Sequence, residues 1–166
     1  MSNEIFSSAV LASIITVFAT LVLFVIKEFI EISSCYLAIM TELKVLKDIF
    51  ENTFLKEITA SRERSYLLLS YPLDTDYFTM YNSNCEKIGK IFIPQHRELI
   101  VATYTLAKYF LDCLRTNNLA LKYYEDIVNG KVGGTIDDAI FELKHSFNNN
   151  ILPTTNNLIE LFEQIK

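Results

Sequence analysis

Residues 5–26 read IFSSAVLASIITVFATLVLFVI, without one charged side chain. At about 1.5 Å per helical residue such a run is roughly 33 Å long, close to the hydrocarbon thickness of a bilayer. A single segment crossing lipid must satisfy its own backbone N–H and C=O groups, and only a helix does so. A transmembrane helix over 5–26 is therefore the first expectation. The run is longer than the apolar region of a cleaved signal, and its N-terminal flank carries Glu4 and no Lys or Arg, so retention as an anchor is expected. Lys27, Lys44 and Lys47 all follow the run. That asymmetry predicts an inner (plasma) membrane protein crossing once, with the C-terminal part cytoplasmic and the short N-terminus outside.

Within the run, Ser8, Ala12, Thr16 and Thr20 recur every fourth residue and form one stripe of small, weakly polar side chains. In lipid such a stripe allows helices to approach closely, through self-association or pairing with another membrane helix. Small residues are also common in these helices for no pairing reason, and both readings stand.

No Gly or Pro occurs before Pro72, so nothing stops the helix at the membrane surface. Over 27–54, Phe29, Ile32, Tyr36, Ile39, Leu43, Leu46 and Phe50 alternate by three and four with charges between them. This is a heptad seam. It suits either a stalk helix packed on its own domain, the preferred reading, or a parallel coiled coil between copies. Residues 65–94 change character: Tyr66, Tyr71, Tyr77, Phe78, Tyr81 and Phe92 lie among prolines and turn formers, which predicts an ordered connector. YLLLSY and KIFI there suit short strands or extended core-contacting segments. Asp74-Thr75-Asp76 reads as a turn. Pro94 opens a helix over 95–128, with a restart at Asn117-Asn118 as one option, and NGKVGGT ends it. Thr135 caps a helix over 135–147, NNNILPTTNN breaks it, and a short helix occupies 156–166. The fold expected is mainly α: a transmembrane helix (5–26) continuing into a long helix, packed on a small antiparallel helical domain within 27–166, with room for a minor β hairpin near 65–93.

Of 166 residues, 140 lie beyond the anchor, enough for one core. The net charge of -5 argues against nucleic acid as a partner, since phosphate binding needs a basic surface. Cys35, Cys85 and Cys113 have no metal-ligand or paired spacing, and their apolar neighbourhoods predict buried reduced thiols. His96 and His145 are the two histidines. His145 is expected near a helix end, where its charged form would suit the dipole. Glu142 and His145, three apart, resemble half of a di-iron set, but no second pair exists. Phosphate loops, a nucleophile elbow and an Arg-x4-6-His ribonuclease signature are all missing. No catalytic, metal or cofactor-binding residue is predicted, and no cofactor.

The succession of anchor, AIMTELKVLKDIFEN, aromatic connector, YNSNCEKIGKI and RELIVATYTLAKYFLDCLRTNN resembles a class of uncharacterised bacterial single-pass membrane proteins. Its S-N-x4-IG-like step is matched by Ser83, Asn84, Ile88 and Gly89, and its tyrosine-centred helix by Tyr104. The resemblance covers about 5–118. It implies a small anchored protein of the kind found as accessory or effector components beside anti-phage systems, retron-type ones included, and it supplies no functional residue. Function is thus expected to be non-enzymatic and to run through self-association or an unknown protein partner at the bilayer. A membrane-tethered scaffold or sensor with a helical docking domain is the first alternative. A membrane-bound enzyme with an atypical site is the second.

Overall fold

The computed structural model describes residues 2–71 and 77–165, with side chains from residue 10 onward. The Ser8 side chain and the Asp74-Thr75-Asp76 turn lie outside the described residues. Helix α1 (Ser2–Ile49) passes through a wide π turn (Phe50–Leu55) into α2 (Lys56–Ser61) without a break. The rod ends where Ser65 adopts φ 60° and its N–H returns to the Ser61 carbonyl at 3.0 Å. Helices α3 (Thr79–Ile88) and α4 (Pro94–Val128) follow, then α5 (Ile136–Ser146), a second wide turn (Phe147–Ile151) and α6 (Leu152–Glu163).

The two wide turns have one cause. Leu46, Phe50, Phe54 and Ile58 are all buried, and each is four residues after the last. An α-helix advances about 100° per residue, so three steps of four drift by about 120° off the core face. A π turn takes up one extra residue and recovers most of that drift. Ala139, Leu143, Phe147 and Ile151 repeat the pattern. The second turn also precedes Pro153, which has no N–H for the ladder and whose ring crowds the carbonyl four residues back. The break expected at NNNILPTTNN is therefore absent: the helix widens there and continues, so α6 begins at Leu152 and not near 156.

Cross-chain pairs set the directions. Tyr36 meets His96, Glu42 meets Tyr104 and Phe50 meets Phe110, so α4 runs parallel to α1. Glu42 meets Met80 while Glu28 meets Lys90, so α3 runs back along α1. Lys47 reaches the Phe162 carbonyl and Arg62 reaches Asn156, so α6 is also antiparallel to α1. The core lies between these rods, with Ile39, Leu43, Ile58, Ile100, Leu114, Phe147, Ile151 and Leu158 almost fully enclosed.

The heptad seam is used internally. Ile32, Ile39, Leu43, Leu46 and Phe50 are buried, and half-buried Tyr36 packs on the same core. Phe29, the first seam residue, stays exposed.

Among the described residues there is no strand, so the minor hairpin near 65–93 is not formed. Part of that connector is α3, and 67–71 runs as a single segment against α4. Buried Asn117 donates to the Leu67 carbonyl at 3.2 Å. Asn118 donates to the Tyr71 carbonyl at 2.9 Å and accepts from the Tyr71 N–H at 3.3 Å. Two side-chain amides thus do the work of a partner strand. For the same reason Asn117-Asn118 mark no restart, and α4 continues to Val128. It ends in a Schellman motif, with Gly130 at φ 69°, its N–H on the Ile127 carbonyl and the Lys131 N–H on the Asp126 carbonyl. The Thr135 hydroxyl caps α5 by accepting from the Asp138 N–H at 3.1 Å.

Candidate functional site: the junction between the apolar helix and the domain

The large apolar side chains from Val10 to Ile26 are 41–68% exposed. Such a contiguous apolar surface is not tolerated in water by a monomer. One N-terminal helix is therefore long and apolar enough to cross a membrane. Its small-residue stripe is bonded inward: Thr16 donates to the Ala12 carbonyl at 2.9 Å and Thr20 to the Thr16 carbonyl at 2.8 Å. These hydroxyl protons are spent within the helix, leaving a shallow face with acceptor lone pairs.

Immediately past Ile26 the domain closes on α1. The returning α3 brings Lys90 Nζ to 2.8 Å from Glu28 and Lys87 Nζ to 4.0 Å from Glu31, which also faces Lys27 at 3.9 Å. The hydrogen bond to Glu28, with its negative charge, holds the Lys90 ammonium above its usual range. On the other flank, Phe29 lies 5.9 Å from Phe92 in the loop between α3 and α4. An apolar cleft of about 390 Å³ opens there, lined by Phe29, Ile32, Tyr36, Ile91, Phe92 and His96 among others. Its far wall is the Tyr36–His96 pair, hydrogen-bonded at 3.0 Å and stacked at 5.4 Å.

Farther up, the Glu42 carboxylate accepts the Met80 N–H at 2.7 Å and the Tyr81 N–H at 3.1 Å. These are orphan donors of α3, whose own N-cap residue, Phe78, offers no side-chain bond. The same carboxylate accepts the Tyr104 hydroxyl. Burial, then this hydrogen bond and the charge of Glu42, push the Tyr104 phenol well above its ordinary range. Tyr81 stacks on Tyr104 at 4.1 Å. One carboxylate from α1 therefore ties down both α3 and α4.

The remaining chemistry-bearing residues are scattered. His145 is exposed and bonded to Asn149 at 2.9 Å. It lies in the last turn of α5, as expected, but the rod continues from there through the second wide turn. Among the described residues no group of three His, Cys, Asp or Glu is placed to hold a metal. Cys35 and Cys113 are buried and their thiols are pushed up, in both cases chiefly by burial. Cys85 is exposed on α3, contrary to the expectation of three buried thiols. The sequence singled out none of Glu28, Glu42, Lys87 or Lys90, and showed Phe92 only as one of the connector's aromatics, since their meaning depends on α3 lying back along α1. A readable clue was the KIFI stretch just before a helix-opening proline. No protein-family model, no curated protein and no solved structure matches this chain.

Proposed function

We propose that this chain is a single-pass, non-enzymatic membrane protein acting through self-association or protein partners, with its helical domain in the cytoplasm. The supporting observation is the bare apolar surface from Val10 to Ile26 on a helix that continues into the domain core without a break. Such a rod couples any shift or pairing of the membrane segment directly to the domain. The polar groups around it have structural tasks: Glu42 caps α3, and Asn117 and Asn118 hold 67–71. The most concrete version is a membrane effector or accessory of an anti-phage or toxin-like system. The test is expression of the full chain, with alkaline washing of membranes, crosslinking and dye exclusion. Crosslinked oligomers and dye entry, both lost in Ala12→Leu/Thr16→Leu, support the reading. Monomers alone and intact dye exclusion count against it.

A tethered scaffold is the second reading. It draws on the hairpin of α4 and α5, where α4 runs ten residues past Asn118, about 15 Å. Leu119 and Phe141 are exposed on that hairpin. A partner whose capture depends on both side chains would favour this reading.

A further inference from the structure

We infer that the loop between α3 and α4 is a second membrane contact, and that lipid acyl chains cover Phe92, Ile93 and the mouth of the cleft behind them. The inference rests on α1 spanning the bilayer from within 5–26.

Three observations carry it. The first is the side-chain pattern of the loop. Ile91 is buried and pins it to the core, while Phe92 is 68% and Ile93 48% exposed. The Arg97 guanidinium holds the Gly89 carbonyl at 3.1 Å, and Pro94 begins α4 at once. Two large apolar side chains are thus presented outward on a loop fastened at both ends. The second is level. Phe29 is three residues past Ile26, about 4.5 Å along the axis, and Phe92 packs on it. The headgroup zone is roughly 5–7 Å deep on each side of the hydrocarbon, so these rings lie at its boundary. Aromatic and aliphatic side chains are stabilised at that depth. The third is continuity. Phe29 and Ile30, 56% and 57% exposed, extend the apolar surface of α1 towards the loop and the cleft. The Glu28–Lys90 and Glu31–Lys87 pairs lie at the same height, where headgroups and water meet charged side chains. A second copy of the chain is the competing cover for this surface. It is disfavoured because, from Ile32 to Phe50, the seam that would align a coiled coil is packed within the domain, leaving only Phe29 of the seam exposed beside the loop.

Two attachment points restrict how the domain tilts on its rod, which one helix cannot do. The chain has no tryptophan, so single reporters are unambiguous. Full-length F18W, F92W and F141W are reconstituted in phosphatidylcholine bilayers whose acyl chains carry bromine either high on the chain or near its end. The expected result is loss of F92W emission, greatest with the shallow bromine. F18W, near the middle of the span, is expected to lose most emission with the deep bromine, and F141W is expected to lose none. I93W repeats the F92W measurement at the neighbouring position in case F92W fails to fold. Quenched F18W beside unquenched F92W and I93W overturns the inference and leaves the span intact. Blue-shifted but unquenched F92W means protein covers the loop, and equal quenching of F141W means the whole domain lies on lipid; either overturns it. Unquenched F18W refutes the spanning helix itself, and the inference with it.

Discussion

Replacing Glu42 with alanine removes three acceptor contacts at once. The Met80 and Tyr81 N–H groups lose the cap that α3 lacks in its own sequence. Loss of an N-cap costs about 1 kcal/mol. The Tyr104 hydroxyl, on a side chain only 2% exposed, loses its acceptor. An unsatisfied buried hydroxyl costs about 1–3 kcal/mol. Together the loss is about 2–4 kcal/mol, and at 1.4 kcal/mol per tenfold that is on the order of 30-fold or more in local opening. A helix of ten residues has no stability of its own to fall back on. The assay is amide hydrogen exchange of the full chain in detergent micelles, following the peptides over 79–91. Glu42→Gln, which keeps the shape but offers one acceptor to three donors, should be intermediate. Tyr104→Phe, which leaves the carboxylate on α3, should cost about 1 kcal/mol. Unchanged exchange over 79–91 in Glu42→Ala, or a larger effect from Tyr104→Phe than from Glu42→Ala, would refute the reasoning.

Three further outcomes are expected. Maleimide should label Cys85 promptly in the folded protein and reach Cys35 and Cys113 only after denaturation; mass spectrometry of the labelled chain checks this. Asn117→Ala should destabilise the domain by about 1–2 kcal/mol, since it strips the Leu67 carbonyl of its donor in a buried site, and limited proteolysis should then cut near 67–71. Burial, with a smaller contribution from Glu57, pushes the Tyr71 phenol up to about 12, above the unfolded value near 10. A raised folded pKa contributes stability that is complete below pH 10 and disappears as pH climbs through 12. Alkaline denaturation curves should therefore flatten in Tyr71→Phe. At neutral pH this variant should be close to wild type, because the hydroxyl has no hydrogen-bond partner among the described residues.

Features with a local cause were legible in the sequence. The uncharged run, the missing breakers before Pro72, the proline at the start of α4, the glycine loop after it and the Thr135 cap each act within a few residues. The seam from Ile32 to Phe50 was legible as a buried stripe, but its pattern does not say whether the facing helix belongs to the same chain. One failure has a clear cause. NNNILPTTNN looks like a break because asparagines and a proline disfavour a helix on average, while the drift-correcting value of a wide turn appears only with a core to face. Asn117-Asn118 left a restart open within the expected 95–128 helix, and the backbone of 67–71 laid beside them shows why the helix continues.

The apolar helix shows the division best. Its composition and length by themselves determine that it cannot stay bare in water, since that follows from uncharged side chains and a helix rise of about 1.5 Å per residue. Hydrophobic periodicity and chain length also determine a helical domain with one core. What only the tertiary structure decided is what lies against the end of that helix. The antiparallel return of α3, held by Glu42 at one end and by Glu28 and Lys90 at the other, carries Phe92 from sixty-three residues away to the level of Phe29. No local rule encodes that neighbourhood, because it is created by packing between segments far apart in the chain.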